Sequence, residues 1–179
     1  KKIALVPQST TYLDPLQKVG KAVRRNRKEK EVAERQRNLF SHFQLDRKVE
    51  ELYPFELSGG MARRVLLSSV LMEDPRLIIA DEPTPGLDLP LAKKAMEDFR
   101  AFADKGNGVL LITHDIELAL EVADRIAVFY AGTTVEEALV SDFQDENLLR
   151  HPYTKALWRA SPQNGFQSLP GAQPHVKDM

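Results

Sequence analysis

The apolar residues of this chain fall into short runs separated by polar stretches with helical spacing. Ile3-Ala4-Leu5-Val6 reads as a buried strand halted by Pro7. Residues 9–15 carry turn chemistry in Ser9, Thr10, Thr11, Asp14 and Pro15. From Leu16 to Phe43 the pattern predicts a very polar helix. Ser58-Gly59-Gly60 opens a helix that runs to about Met72 and is stopped by Asp74-Pro75. Leu77–Ala80 is a continuous apolar run of strand length, which suits a strand covered on both faces. Asp88 reads as an N-cap with Pro90 in the first turn, and its helix ends near Lys105 at the turn Gly106-Asn107-Gly108. Val109–Thr113 is a second buried strand. Asp115 caps a helix through Leu118 and Val122. Ile126–Tyr130 is a third strand, ending at Gly132. Residues 146–160 read as helical and Pro162–Met179 as irregular. Strands alternating with helices predict an α/β fold with a parallel sheet and right-handed crossovers.

Composition narrows the picture. A length of 179 residues corresponds to roughly one domain. Apolar residues at 42% and charged residues at 28% are enough for a packed core. The 25 basic and 26 acidic residues leave a net charge of −1, which excludes an overall electrostatic pull toward nucleic acid or membrane. Between Lys18 and Arg37 the local charge is +6. No aromatics interleave with it, so it reads as a solvated helical surface rather than a lipid or nucleic-acid contact. The absence of cysteine excludes disulfides, thiolate metal sites and a thiol nucleophile. No run of 18 apolar residues exists. Lys1-Lys2 precedes only four apolar residues before Pro7, too few for a signal-peptide core. With no initial methionine, the sequence is expected to begin inside a larger protein. The four histidines, His42, His114, His151 and His175, do not share ligand spacing on one element.

Three segments carry candidate chemistry. Arg76-Leu77-Ile78-Ile79-Ala80-Asp81-Glu82 ends an apolar strand in two acids, which places carboxylates at the carboxyl edge of the sheet, where open α/β sheets bind ligands. Asp81 could hold Mg²⁺ and Glu82 could polarise an attacking water; an acidic turn is the plain alternative. Leu57-Ser58-Gly59-Gly60-Met61 leaves uncovered backbone N–H groups at a helix start, which makes either an anion site or an ordinary Ser cap. His114, just past the Leu111-Ile112-Thr113 strand, falls at the same edge as the acids, and Gln8 ends another strand.

Taken together, Gln8, Leu57-Ser58-Gly59-Gly60, Asp81-Glu82, Pro85-Gly86-Leu87-Asp88 and His114 resemble, in order and spacing, the Q-loop, signature, Walker B, D-loop and H-loop of ATP-binding cassette (ABC) ATPases. The resemblance runs from residue 1 to about 163. Tyr53-Pro54-Phe55-Glu56 before the signature, Tyr130-Ala131-Gly132, and His151-Pro152-Tyr153-Thr154-Lys155-Ala156-Leu157 leading to Ser161-Pro162 are similar to the dipeptide, oligopeptide and nickel importer branch. The resemblance implies a partial P-loop NTPase (RecA-like) parallel-sheet core with an ABC-type α-helical subdomain. It divides the chain into 1–15 (core strand and Q-loop), 16–75 (helical subdomain with the signature), 76–145 (C-terminal part of the ATPase core) and 146–179 (importer-type extension and tail).

It also implies roles. Glu82 would be the catalytic carboxylate, Asp81 a support for Mg²⁺, and Gln8 a sensor of Mg²⁺ and water. His114 would contact the terminal phosphate of ATP. Ser58, Gly59 and Gly60 would serve a nucleotide held by the opposite subunit, and Asp88 would bridge the pair. The implied cofactors are ATP and Mg²⁺. The implied partners are a second ABC ATPase subunit, identical or paralogous, transmembrane permease subunits and, indirectly, a solute-binding protein, with no nucleic acid. The implied location is the cytoplasmic face of the cell membrane. Met61 stands where many members have Gln, and Gly86 where Ala or Ser is common.

No G-x-x-x-x-G-K-[ST] loop occurs in the sequence. Gly20-Lys21 is the one Gly-Lys pair; Pro15 stands where the first glycine belongs, and Ala22 follows where a hydroxyl belongs. In the family that loop precedes the Q-loop. The chain is therefore expected to be a fragment with negligible ATP turnover alone and with a sheet edge or an apolar face left uncovered. The alternatives are a soluble, non-transport ABC ATPase and a non-catalytic interaction module that keeps only the signature half.

Overall fold

The computed structural model describes residues 2–25 and 29–168. Expectations on Lys1, on Arg27 and Lys28 of the basic stretch, on His175 and on the tail beyond Ser168 lie outside those residues. The chain forms two compact units, Lys1–His114 and Asp115–Met179.

The first unit is built on three parallel strands, β1 (Ile3–Val6), β2 (Leu77–Asp81) and β3 (Gly108–Ile112), in the order β1-β2-β3. Their register sets Leu5 beside Ile79 and Ile79 beside Leu110. All three strands therefore end at one edge. Because side chains alternate across a strand, Ala4, Val6, Ile78 and Ala80 fall on one face, and each is 5% exposed or less. On the other face Ile3, Leu5, Leu110 and Ile112 are 48–54% exposed. The expected uncovered apolar face is thus present. The strands read as covered on both faces have one face open among the described residues. An apolar run records how many faces are written for burial, not whether the cover is in the same chain.

Helix α3 (Gly59–Met72) packs on β1 and helix α4 (Leu89–Asp104) on β3. Helix α4 buries Leu91, Ala95, Met96, Phe99 and Phe102, an i, i+4, i+8 stripe. The polar stretch read as one helix is two: α1 (Val19–Val23) and α2 (Lys30–His42), with Arg25 at φ 50° after the first. A residue in the left-handed region cannot continue a helix. Phe40, Leu45, Val49, Val65 and Leu66 form the core of this helical part. The described basic side chains there are mostly exposed, as expected of a solvated surface, and four of them also form ion pairs. Lys18 meets Glu51 at 2.8 Å, Arg24 and Arg37 share the buried Glu50 at 3.2 and 3.3 Å, and Arg25 pairs with Glu73. Glu50, Glu51 and Glu73 all lie outside the stretch counted as +6, which is how a local charge excess is neutralised in space. Gly20, of the lone Gly-Lys pair, lies in α1, where an added Cβ would stand 3.0 Å from Glu50; it is a close-packing glycine.

The second unit corrects the strand assignment. Helix α5 (Ile116–Val122) begins at the Asp115 cap, as predicted. Strand β4 (Arg125–Tyr130) does not extend the parallel sheet. It pairs antiparallel with β5 (Thr133–Leu139) in a separate two-stranded sheet. Ala131 and Gly132 connect them at φ 49° and 78°, the two positive angles of a type I′ hairpin, whose twist matches the strands. The helix expected over 146–160 is a short turn at Glu146–Leu148 followed by α6 (Pro152–Ala160). Its break falls where His151, before a proline, is held extended at ψ 135°.

Glu136 on β5 fastens that break. Its Oε1 accepts the Arg150 N–H and its Oε2 the His151 N–H, each at 2.8 Å. Burial pushes the Glu136 carboxyl up, but these backbone donors outweigh it and bring it down to about 2. In the unfolded chain the group titrates near the ordinary 4.5. Its stabilisation is therefore present above pH 4.5 and is lost as the pH falls through 4.5 toward 2. Glu136→Gln is expected to cost about 1.5 kcal/mol at pH 7 and to remove that acid-dependent part, read by chemical denaturation across pH. An unchanged acid limb would contradict it.

Candidate active site

Four predicted residues meet at the carboxyl edge of the parallel sheet. Gln8 follows β1, Asp81 ends β2, Glu82 follows it, and His114 lies two residues past β3. Glu82 sits at φ 45°, in the left-handed region that a side chain of its size seldom occupies. Its N–H donates to the Ile112 carbonyl at 2.9 Å, so the strained residue is tied to the end of the neighbouring strand. The turn aims its carboxylate at His114. Glu82 Oε1 accepts the His114 N–H at 3.0 Å and lies 2.8 Å from His114 Nδ1. Glu82 Oε2 is buried with no hydrogen-bond partner. Such an oxygen is either costly or meant for a group that arrives later. The carboxylate side chain is 16% exposed and the imidazole 83%.

A second cluster gathers at the start of α3. Ser58 caps the helix, its Oγ accepting the Met61 N–H at 3.2 Å. The first backbone N–H groups of a helix have no partner within it, so Gly59 and Gly60 present donors at the positive end of the dipole. Thr84-Pro85-Gly86-Leu87 forms a turn closed by the Leu87 N–H on the Thr84 carbonyl at 3.0 Å, with Gly86 at φ 82°. This turn lies against Gly60: a Cβ built there would stand 2.7 Å from the Gly86 carbonyl oxygen. Asp88 then caps α4 through the Leu91 N–H at 3.0 Å, as the sequence predicts.

Arg63 joins the two clusters, and sequence reasoning passed over it. It lies one turn into α3 and is 4% exposed. Its Nη1 donates to the Pro7 carbonyl at 2.6 Å and its Nη2 to the Gln8 carbonyl. Burial lowers the guanidinium's pKa, and the charges of Asp81 and Glu82 oppose that. A second arginine, Arg64, bonds the Phe43 and Gln44 carbonyls at 3.2 and 3.1 Å, holding α2 to α3. Two adjacent arginines in a helix usually read as surface, and no signal in the sequence sends one inward.

His42 Nε2 lies 2.7 Å from Asp98 Oδ2, and His151 Nδ1 accepts the Tyr153 N–H at the start of α6. Among the described residues no three metal-ligating side chains cluster, and no helix is long and apolar enough to cross a membrane.

A parallel sheet with acids and a histidine at its carboxyl edge, together with a Ser-Gly-Gly helix start beside a Pro-Gly turn, defines the nucleotide-binding domain of an ATP-binding cassette protein. The family described as ABC transporter matches residues 1–85, and the chain belongs to that family. Oligopeptide transport ATP-binding protein OppD of Lactococcus lactis subsp. cremoris is 34% identical over 194 residues, covering 99% of this chain and 56% of that protein. AppD of Bacillus subtilis, named for oligopeptide transport, is 37% identical over 161 residues, with coverage of 85% and 48%. DppD of Haemophilus influenzae, named for dipeptide transport, is 41% identical over 134 residues, with coverage of 72% and 40%. The chain thus spans about half the length of the curated relatives it matches. Among solved structures, a dimeric ATP-binding cassette in a post-hydrolysis state with ADP and Pi superposes with a TM-score of 0.69 at 28% identity, covering 78% of this chain and 63% of that one. An ATP-binding subunit of an ABC transporter does so at 0.74 and 25%, with coverage of 88% and 67%. The predicted P-loop NTPase α/β fold is borne out.

Proposed function

We propose that this chain is the signature-bearing part of an ATP-hydrolysing subunit of an ABC importer, which powers uptake of peptides or nickel through a membrane permease at the cytoplasmic face. One observation carries the reading: Gln8, Asp81, Glu82 and His114 converge on a single sheet edge, with the Glu82 carboxylate already held by His114. In this reading Glu82 orients and polarises the attacking water, and His114 meets the terminal phosphate. Asp81 and Gln8 offer the oxygen donors that a hard cation prefers, and the unpartnered Glu82 Oε2 gives the edge unused acceptor capacity. Mg²⁺ held there supplies charge neutralisation at the phosphates. Ser58, Gly59 and Gly60 face a nucleotide bound by the opposite subunit, and Asp88 bridges the two. Phosphoryl transfer asks chiefly for this kind of positioning and charge stabilisation.

The peptide substrate class is supported by the names of the relatives; nickel rests on the resemblance to the importer branch alone. A second ATPase subunit, identical or paralogous, is supported by the dimeric state of a structural neighbour.

The residues in hand lack a Gly-Lys-Ser/Thr phosphate loop, so residues 1–179 alone are expected to hydrolyse Mg·ATP no faster than the same chain carrying Glu82→Gln. Turnover typical of intact family members in a phosphate-release assay would overturn the reading of the chain as part of an ATPase subunit. The transport assignment is tested in proteoliposomes holding permease and both ATPase subunits, by ATP-driven uptake of labelled dipeptide, oligopeptide or Ni²⁺. ATP turnover without uptake of any of them would favour the non-transport ABC ATPase.

A further inference from the structure

Arg63 is an unusual residue to bury. At 4% exposure it bonds no carboxylate. Its two Nη groups go instead to consecutive main-chain carbonyls, those of Pro7 and Gln8, just where the chain leaves β1. Pro7 has no N–H, so its carbonyl is the one main-chain group by which that residue can be held. The Arg63 Nε is buried without a partner. Two acids of the edge, Asp81 and Glu82, act on the guanidinium through their charge. The helix that carries Arg63 starts four residues earlier at Gly59, about one turn away, and Gly60 is seated on the Gly86 turn.

We propose that Arg63 is the positioning residue of this site: its fork fixes the Gln8 loop against the Asp81-Glu82 edge and makes the place of the Ser58-Gly59-Gly60 helix start depend on that loop. The inference rests on the function proposed above for Gln8 and Glu82. A planar guanidinium holds two neighbouring carbonyls with donors set in one rigid fork, whereas an ammonium on a flexible stem offers rotatable donors that fix no direction. If the loop moves, it pulls α3 at a point one turn from the glycines; if α3 moves, Gln8 moves with it. The charge adds a second link, because a buried cation without a bonded carboxylate depends on ionised acids nearby.

The test uses Arg63→Lys, which keeps charge and most of the volume but loses the fork. Amide hydrogen exchange is followed at residues 8–13 and, for comparison, across α4. Ser68→Ala serves as a control: Ser68 lies on the same helix, is buried, and bonds only the Arg64 carbonyl at 2.9 Å. The two variants are compared at temperatures where their global stabilities match. Arg63→Lys is expected to speed exchange at residues 8–13 about tenfold or more, beyond its effect on α4, while Ser68→Ala shifts both alike. In the assembled ATPase, Arg63→Lys is expected to lower kcat about tenfold with KM for Mg·ATP unchanged. Loop exchange that simply tracks global stability in both variants would overturn the proposal and make Arg63 a core residue like any other. The exchange readout does not involve ATP, so it stands or falls apart from the functional reading, which fails separately if Glu82→Gln hydrolyses ATP normally.

Discussion

Glu82→Gln is expected to reduce Mg·ATP turnover in the assembled ATPase by about two to three orders of magnitude, with little change in KM or in folding. A positioned general base contributes roughly 10²–10⁴-fold, and the amide cannot take a proton or polarise water as a carboxylate does. The fold should tolerate the change because the geometry that places residue 82 is in its backbone. The φ of 45° and the N–H bond to Ile112 remain with glutamine. A glutamine carbonyl also accepts the His114 N–H as Oε1 does now at 3.0 Å. Loss of kcat with unchanged KM is the signature of an interaction made in the transition state. Steady-state turnover at saturating Mg·ATP, with transport measured on the same vesicles, reads it directly. A variant within threefold of wild type would remove Glu82 from the chemistry and leave the His114 contact as a structural tie.

The parallel core could be read from sequence because its strands are short, apolar and punctuated. Pro7, Pro75 and Gly108 mark strand boundaries, and register then brings Val6, Asp81 and Ile112 to one edge without further information. The placement of the candidate residues at that edge was legible for the same reason, since polar residues that directly follow apolar strands have nowhere else to go. Strand β5 was hidden. Thr133–Leu139 carries Glu136 and Glu137 in its middle, and a carboxylate is ordinarily evidence against a buried strand. Glu136 is buried because two backbone N–H groups some fifteen positions later need an acceptor, and that need is invisible until the chain is folded. Arg63 was hidden by the same kind of cause. Its partners are main-chain carbonyls, which every residue possesses, so no side-chain pattern announces them. The helix start offers a sharper contrast, because two adjacent glycines that look alike in sequence meet different surroundings.

Gly60→Ala is expected to destabilise the first unit by about 2–3 kcal/mol, whereas Gly59→Ala should be neutral or slightly stabilising. An added Cβ at Gly60 would stand 2.7 Å from the Gly86 carbonyl oxygen, closer than carbon and oxygen tolerate. The obstacle is backbone in a turn, held by the Leu87 N–H on Thr84 and followed directly by the Asp88 cap of α4. It has no rotamer by which to move aside. Either α3 backs away from the turn, straining the Arg63 fork, or the turn shifts and the α4 cap lengthens. Overpacking of this kind costs roughly 1–3 kcal/mol, and a rigid neighbour puts it at the upper end. At Gly59 a Cβ would meet nothing within 4 Å, and replacing glycine by alanine in a helix contributes up to about 1 kcal/mol. Thermal unfolding should therefore place Gly60→Ala below wild type by roughly 10 °C and Gly59→Ala at or slightly above it. Equal melting temperatures would mean that the α3 start does not rest on the Gly86 turn in solution. The start of α3 would then have no tie to the turn that precedes the Asp88 cap.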